Sequence, residues 1–135
     1  MMLTRGKIAK ATGWNSETIR YYEKIGLLRE PPRSESGYRL YDESYKPILR
    51  FIKRSKSLGF STNQVRDLLR LTEQSALHTR SEVRSLTDSH IRELSKKIKE
   101  LQKLKKQLSE ISSHCDGSDK SAADCPILTS LIDED

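Results

Sequence analysis

The chain has little apolar material. Only 34% of its 135 residues are hydrophobic and 6% aromatic, against 33% charged. Its purely apolar runs are a few residues long, far from the ~20 that a membrane-spanning helix needs. The stretch from Met1 to Lys10 lacks the apolar core of a signal peptide. A cytoplasmic location with no membrane partner is therefore expected. At this length the chain holds one compact domain, or one small domain plus an extended element, which excludes a large multi-domain enzyme. Neither a nucleophile with its base nor a phosphate-binding loop is visible, so no enzymatic activity is expected. Cysteine is scarce as well. Cys115 and Cys125 are the two present, and both lie near the C-terminal end. A cytoplasmic chain seldom uses a structural disulfide, so two thiols ten positions apart in a polar segment form a candidate site.

Charge, by contrast, is abundant and unevenly spread. Residues 1–80 carry 16 Lys and Arg against 8 Asp and Glu, residues 81–112 carry 8 against 5, and residues 113–135 carry 1 against 6. The total of +6 thus hides a basic first half, suited to an acidic polymer, and an acidic tail that would avoid one.

The local patterns are mostly helical. Residues 3–11 place Ile8, Ala9 and Ala11 on one face, and Gly13 ends that segment. Asn15 or Ser16 caps a second helix over 17–25, with Ile19, Tyr22 and Ile25 inward and Gly26 closing it. Two short helices joined through a glycine turn form a helix-turn-helix pattern. Pro31 and Pro32 then forbid helix. Turn residues Ser34 to Gly37, flanked by Leu27-Leu28 and by residues 38–41, predict a short β-hairpin, or wing. A third helix starts at Asp42 or Ser44, with Ile48, Leu49, Phe51, Ile52 and Leu58 buried and Gly59 as its stop. Ser61 or Thr62 caps a fourth, with Val65, Leu68, Leu69 and Leu71 inward. After a break at His78 to Ser81, residues 81–112 contain neither Pro nor Gly. There Ile91 and Ile98 at heptad position a, with Leu94, Leu101 and Leu108 at d, make a narrow seam. A helix this long with so thin an apolar stripe needs a partner, which predicts a dimeric coiled coil. Beyond Cys125, residues 126–132 predict a short helix with Ile127, Leu128 and Leu131 packing near the cysteine loop.

Three segments, IAKATGWNSETIRYYEKIGLL, RSESGYRLYD and LRFIKRSKSLGFSTNQVRDLL, together resemble the MerR family of transcriptional regulators, and the likeness covers nearly the whole chain. The tail HCDGSDKSAADCPIL resembles the metal-sensing branch, and its ADCPIL ending is closest to the copper-sensing CueR type. The resemblance implies a mainly α fold: a winged helix-turn-helix DNA-binding domain over 1–75, a hinge and antiparallel dimerisation helix over 76–112, and a metal-sensing loop with a terminal helix over 113–135. It implies a homodimer on a palindromic promoter element, acting with RNA polymerase. Ligand binding would then distort the DNA and activate transcription. Thr18, Arg20 and Tyr21 on the second helix would face a groove. Arg33, Tyr38 and Arg39 on the wing, with Arg54 and Lys56, would fix phosphates.

Thiolates are soft ligands that suit Cu(I), zinc and mercury, and the small polar residues between Cys115 and Cys125 let the loop close on one ion. In the family's branches that sense divalent ions, a third cysteine, supplied by the second copy, stands at the start of the long helix. Here that position holds Arg80, which cannot ligate a metal. Two thiolates satisfy a monovalent ion and leave one negative charge for Arg80 to offset, which favours Cu(I), with Ag(I) and Au(I) as mimics. Against this, the loop approaches the zinc-sensing length, and His78, His114 and the loop aspartates could complete a four-coordinate Zn(II) site. His90 reads as a surface residue. A thiol-redox switch through the same two cysteines is a further reading.

Overall fold

The computed structural model describes residues 2–133. Among the described residues there are six α-helices: α1 (Arg5–Thr12), α2 (Ser16–Lys24), α3 (Tyr45–Ser57), α4 (Thr62–Glu73), α5 (Arg80–Ser113) and α6 (Pro126–Ile132). Short 3-10 turns span Ser75–Leu77 and Ala122–Asp124. The contacts divide the chain into two units, one running to Val83 and one starting at Arg84.

In the first unit α1 packs on α2 and α3, and α3 on α4. The core is formed by Ile8, Ile19, Tyr22, Leu28, Tyr41, Tyr45, Leu49, Ile52 and Val65, all buried. The expected caps hold these helices. Asn15 Oδ1 accepts from the Glu17 amide at 2.8 Å. Ser61 and Gln64 exchange side chain-to-backbone bonds as a capping box. Gly13 ends α1 with φ 74°, a left-handed conformation that favours glycine. Lys53 Nζ, which donates to the Gly13 carbonyl at 3.0 Å, occupies the space a Cβ would need. Two long-range bonds lock the tertiary arrangement: Trp14 Nε1 donates to the Leu49 carbonyl at 2.8 Å, and Arg66 Nη2 to the Ile25 carbonyl at 2.9 Å.

Several expectations need correction. Leu3, read as the start of α1, instead pairs with Tyr41 in an antiparallel bridge, exchanging backbone bonds of 2.8 Å in both directions. Ala11 is exposed, and Thr12 takes the buried place because its hydroxyl donates to the Ile8 carbonyl at 2.7 Å. The wing is present but carries no strand among the described residues. Its pairing is one bridge, Arg33 to Arg39, with Ser34 N donating to the Tyr38 carbonyl at 2.7 Å and Leu40 N to the Pro32 carbonyl at 3.0 Å. Pro31 and Pro32 lack the amide hydrogens that a longer ladder requires. Of the two starts expected for α3, Ser44 is the N-cap, while the Asp42 carboxylate accepts from the Ser44 amide at 2.8 Å in a local turn. Leu58, read as buried, is 50% exposed.

Helix α5 runs for 34 residues and, from Arg84 on, belongs to the second unit. Ile91, Ile98, Leu101, Leu104 and Leu108 are all more than half exposed, and Leu94 is 38% exposed. The seam is therefore an uncovered stripe within one chain. His90, expected at the surface, is buried at 6% exposure. Leu128 and Leu131 on α6 are exposed at 48% and 58% and so do not pack as expected. Only Ile127 of that trio is half-buried.

Candidate functional site

Two sites emerge, one in each unit. In the first unit the wing and α2 are held together by a buried carboxylate. Glu23 lies on the inner face of α2, one turn beyond Ile19 and beside Tyr22, with its side chain 1% exposed. Tyr41 Oη donates to Glu23 Oε1 at 2.5 Å, Arg39 Nη1 to Oε2 at 2.6 Å, and Arg5 Nη2 to Oε2 at 3.4 Å. Arg39 also binds Glu30 at 2.8 Å. Burial, and then the bond to Glu23, push the Tyr41 hydroxyl up to about 12. A buried charge is tolerated only with partners of this kind. Sequence reading missed Glu23, Arg5 and Tyr41 as a group. The available signal was a carboxylate in register with Ile19 and Tyr22 on an apolar helix face.

Of the residues expected at DNA, Arg20, Tyr21, Arg33, Tyr38 and Arg54 are exposed, and Thr18 and Lys56 are half-buried. Tyr38 stands out at 69% exposure. Arg33 Nη1 reaches the Gly37 carbonyl at 3.5 Å within the wing. Lys56 Nζ donates to Thr62 Oγ1 at 3.3 Å. Arg39 is engaged by two carboxylates, so its first role is to set the wing against α2. Tyr22 is core, packed edge-on against Trp14 with ring centroids 5.4 Å apart.

In the second unit the loop after α5 brings the two thiols together. Cys115 and Cys125 are free and half-buried, with their sulfurs 4.0 Å apart. Backbone amides face both sulfurs. The Gly117 amide donates to Cys115 Sγ at 3.4 Å. The amides of Leu128 and Ile127 at the start of α6, together with the Cys115 thiol, hold the Cys125 thiol below its ordinary range. Both sulfurs open on a depression of about 460 Å³, also lined by His114, Asp116, Lys120 and Asp124. The Asp116 carboxylate is turned inward on the loop, accepting from the Ser118 amide at 3.0 Å. Among the described residues no three His, Cys, Asp or Glu side chains gather as one metal-ligand group. His78 is engaged elsewhere, its Nδ1 lying 2.5 Å from Glu82 Oε2. Arg80 is the exposed first residue of α5.

Residues 3–72 match the family described as MerR HTH family regulatory protein, and residues 48–111 the one described as MerR, DNA binding. The chain belongs to the MerR family. Known proteins match it over most of their length. Heavy metal-dependent transcription regulator 2 of Rhizobium meliloti is 38% identical over 126 residues, which cover 93% of this chain and 84% of the relative. The crystal structure of the transcription regulator PbrR691 from Ralstonia metallidurans CH34, in complex with lead(II), is 36% identical. It aligns with a TM-score of 0.83 over 96% of this chain and 98% of that one. HiNmlR, a MerR family regulator bound to promoter DNA, is 25% identical with a TM-score of 0.54, covering 84% of this chain and 86% of that one. As a member of the MerR family the chain is a DNA-binding regulator and not an enzyme. Among the described residues no helix is long and apolar enough to cross a membrane.

Proposed function

We propose that this MerR-family chain is a cytoplasmic, metal-responsive activator that senses Cu(I) through Cys115 and Cys125. The observation that carries the reading is the pair of free sulfurs 4.0 Å apart, each facing a backbone amide. Two bonds of about 2.3 Å, the zinc–thiolate length, span that gap at roughly 120°, and a linear two-coordinate ion is reached when the sulfurs part to roughly 4.6 Å. The α6 amides favour the thiolate form of Cys125, and the thiolate is the form that binds metal. The heavy-metal description of the Rhizobium relative and the lead complex of PbrR691 support a metal effector.

The choice of Cu(I) rests on donor number and charge. Two thiolates saturate a soft monovalent ion and leave one negative charge, which Arg80 of the second copy offsets. A divalent ion needs further donors. The second reading, Zn(II) or another divalent ion, draws on His114, which lines the same depression, and on the lead-bound relative.

In this account two copies join along the exposed seam of α5. Each reads half of a palindromic promoter element through Thr18, Arg20 and Tyr21, with Arg33, Tyr38, Arg39, Arg54 and Lys56 placing the phosphates. Metal binding favours the dimer conformation that distorts the promoter DNA, so that RNA polymerase engages it. The test is promoter transcription in vitro across Cu(I), Ag(I), Zn(II), Cd(II) and Hg(II). Activation by Cu(I) and Ag(I), lost in Cys115→Ser, is expected. Activation by Zn(II) alone moves the reading to the divalent site. Activation by peroxide in metal-free buffer replaces it with a thiol-redox switch.

A further inference from the structure

A depression of about 310 Å³ in the first unit is lined by Thr4, Arg5, Arg20, Arg33, Tyr38 and Arg39. Four guanidinium groups thus converge from three elements: the start of α1, the outer face of α2 and the wing. Two carboxylates oppose them, the buried Glu23 and the exposed Glu30, and both bind Arg39. The concavity keeps an excess of about two positive charges. Internal bonds use only part of Arg5's donor capacity. Glu23 already has Arg39 at 2.6 Å and Tyr41 at 2.5 Å, and Arg5 adds only a long bond of 3.4 Å. An arginine carries five N–H donors. Arg5 spends one on Tyr41 Oη at 3.2 Å and one on Glu23, and its side chain is 26% exposed. The Thr4 hydroxyl accepts from the Lys7 amide at 3.4 Å and keeps its own proton to donate.

We propose that this depression seats one phosphodiester group of the DNA backbone, and that Arg5 is a phosphate-contacting residue gripping it from the start of α1 with Arg20 and Arg33. Planar guanidinium forks converging from separate elements suit a phosphate, which accepts on several oxygens at once. Glu23 serves as the positioning residue: it holds Arg5 and Arg39 on one carboxylate, and so fixes the wing and α1 at a set distance across the phosphate seat. The inference rests on reading this unit as the DNA-binding one, and it adds α1 to the surfaces that touch the duplex.

The test is the salt dependence of binding to a duplex selected from a random library by the wild-type protein. Each lost phosphate contact lowers the slope of log K against log salt by about 0.9, so a dimer of Arg5→Gln loses about 1.8. The affinity penalty of Arg5→Gln is then about 12-fold larger at 50 mM than at 200 mM salt. Arg5→Lys, which keeps the charge, restores most of the slope. Gln keeps an amide for Tyr41 and Glu23, and an unchanged melting curve of the DNA-free variant separates contact from folding. If Arg5→Gln unfolds the unit, Arg5→Met, which keeps the aliphatic stem, replaces it: a slope lowered by about 1.8 supports the inference and an unchanged slope overturns it. A penalty that is the same at both salt concentrations assigns Arg5 a structural role and overturns it. Stabilisation of the DNA-free protein by inorganic phosphate through Arg5 makes this a free-anion site and overturns the duplex assignment. A wild-type protein that selects no duplex sinks the DNA reading itself, whereas selection with an unchanged Arg5→Gln slope sinks this inference alone.

Discussion

Replacing Glu23 by alanine removes the acceptor shared by Tyr41, Arg39 and Arg5. The cost follows from each partner's alternatives. Tyr41 is fully buried and its hydroxyl proton finds no water, so that bond is lost in full at about 1.5–3 kcal/mol, the range for a hydrogen bond to a charge. Arg39 is 19% exposed and retains Glu30, so its loss is smaller, about 1 kcal/mol. Arg5, at 26% exposure and 3.4 Å, rehydrates and adds little. The total is about 3 kcal/mol. It is measured by urea unfolding followed by helical circular dichroism, at one protein concentration because a dimer's stability depends on it. Glu23→Gln keeps two polar atoms in place and costs roughly half as much. Glu30→Ala, whose carboxylate is 66% exposed, costs under about 1 kcal/mol, as surface ion pairs do. If Glu23→Ala costs no more than Glu30→Ala, the buried carboxylate does not organise the wing.

Other consequences are equally direct. Because the folded state holds the Tyr41 proton up to about pH 12 while an ordinary tyrosine releases it near 10.0, its share of stability is whole below pH 10 and is lost as the pH rises through 12. Ultraviolet titration should show a late phase near pH 12 that Tyr41→Phe removes, while Tyr22, raised by its burial, remains. Cys125, with its thiol held low by the α6 amides, should react with iodoacetamide at a lower pH than it does in urea, where those amides are gone. Equal rates in the two conditions would remove the amide effect. Leu101→Glu puts a charge on the exposed seam of α5 and should shift the dimer to monomer in sedimentation, leaving the first unit's helices intact.

Local order was readable from residues alone, and long-range order was not. Asn15, Ser61, Gly13 and Gly26 mark helix ends through bonds within four positions, so α2 and α4 begin within a residue of their expected starts. Leu3 pairing with Tyr41, and Arg5 meeting Glu23, are joined across 38 and 18 positions. No local rule reaches that far. Glu23 was hidden for a related reason: a glutamate in a helix ordinarily faces water, and only its three partners make burial tolerable. The cysteine pair stood out in the sequence by its isolation in a polar tail. The amides that face both sulfurs depend on Gly117 at φ 66° and on the start of α6, which spacing alone does not locate.

The proposed function stands or falls on whether Cys115 and Cys125 together hold a soft monovalent ion. Its most direct test is titration of the reduced full-length dimer with Cu(I) against a competing chelator, beside Cys115→Ser and Cys125→Ser. One tightly held Cu(I) per chain is expected in the wild type, coordinated by two sulfurs in its X-ray absorption spectrum, and none in either variant. Uptake that survives loss of either cysteine, or a wild-type protein that yields all its Cu(I) to a weak chelator, would contradict it.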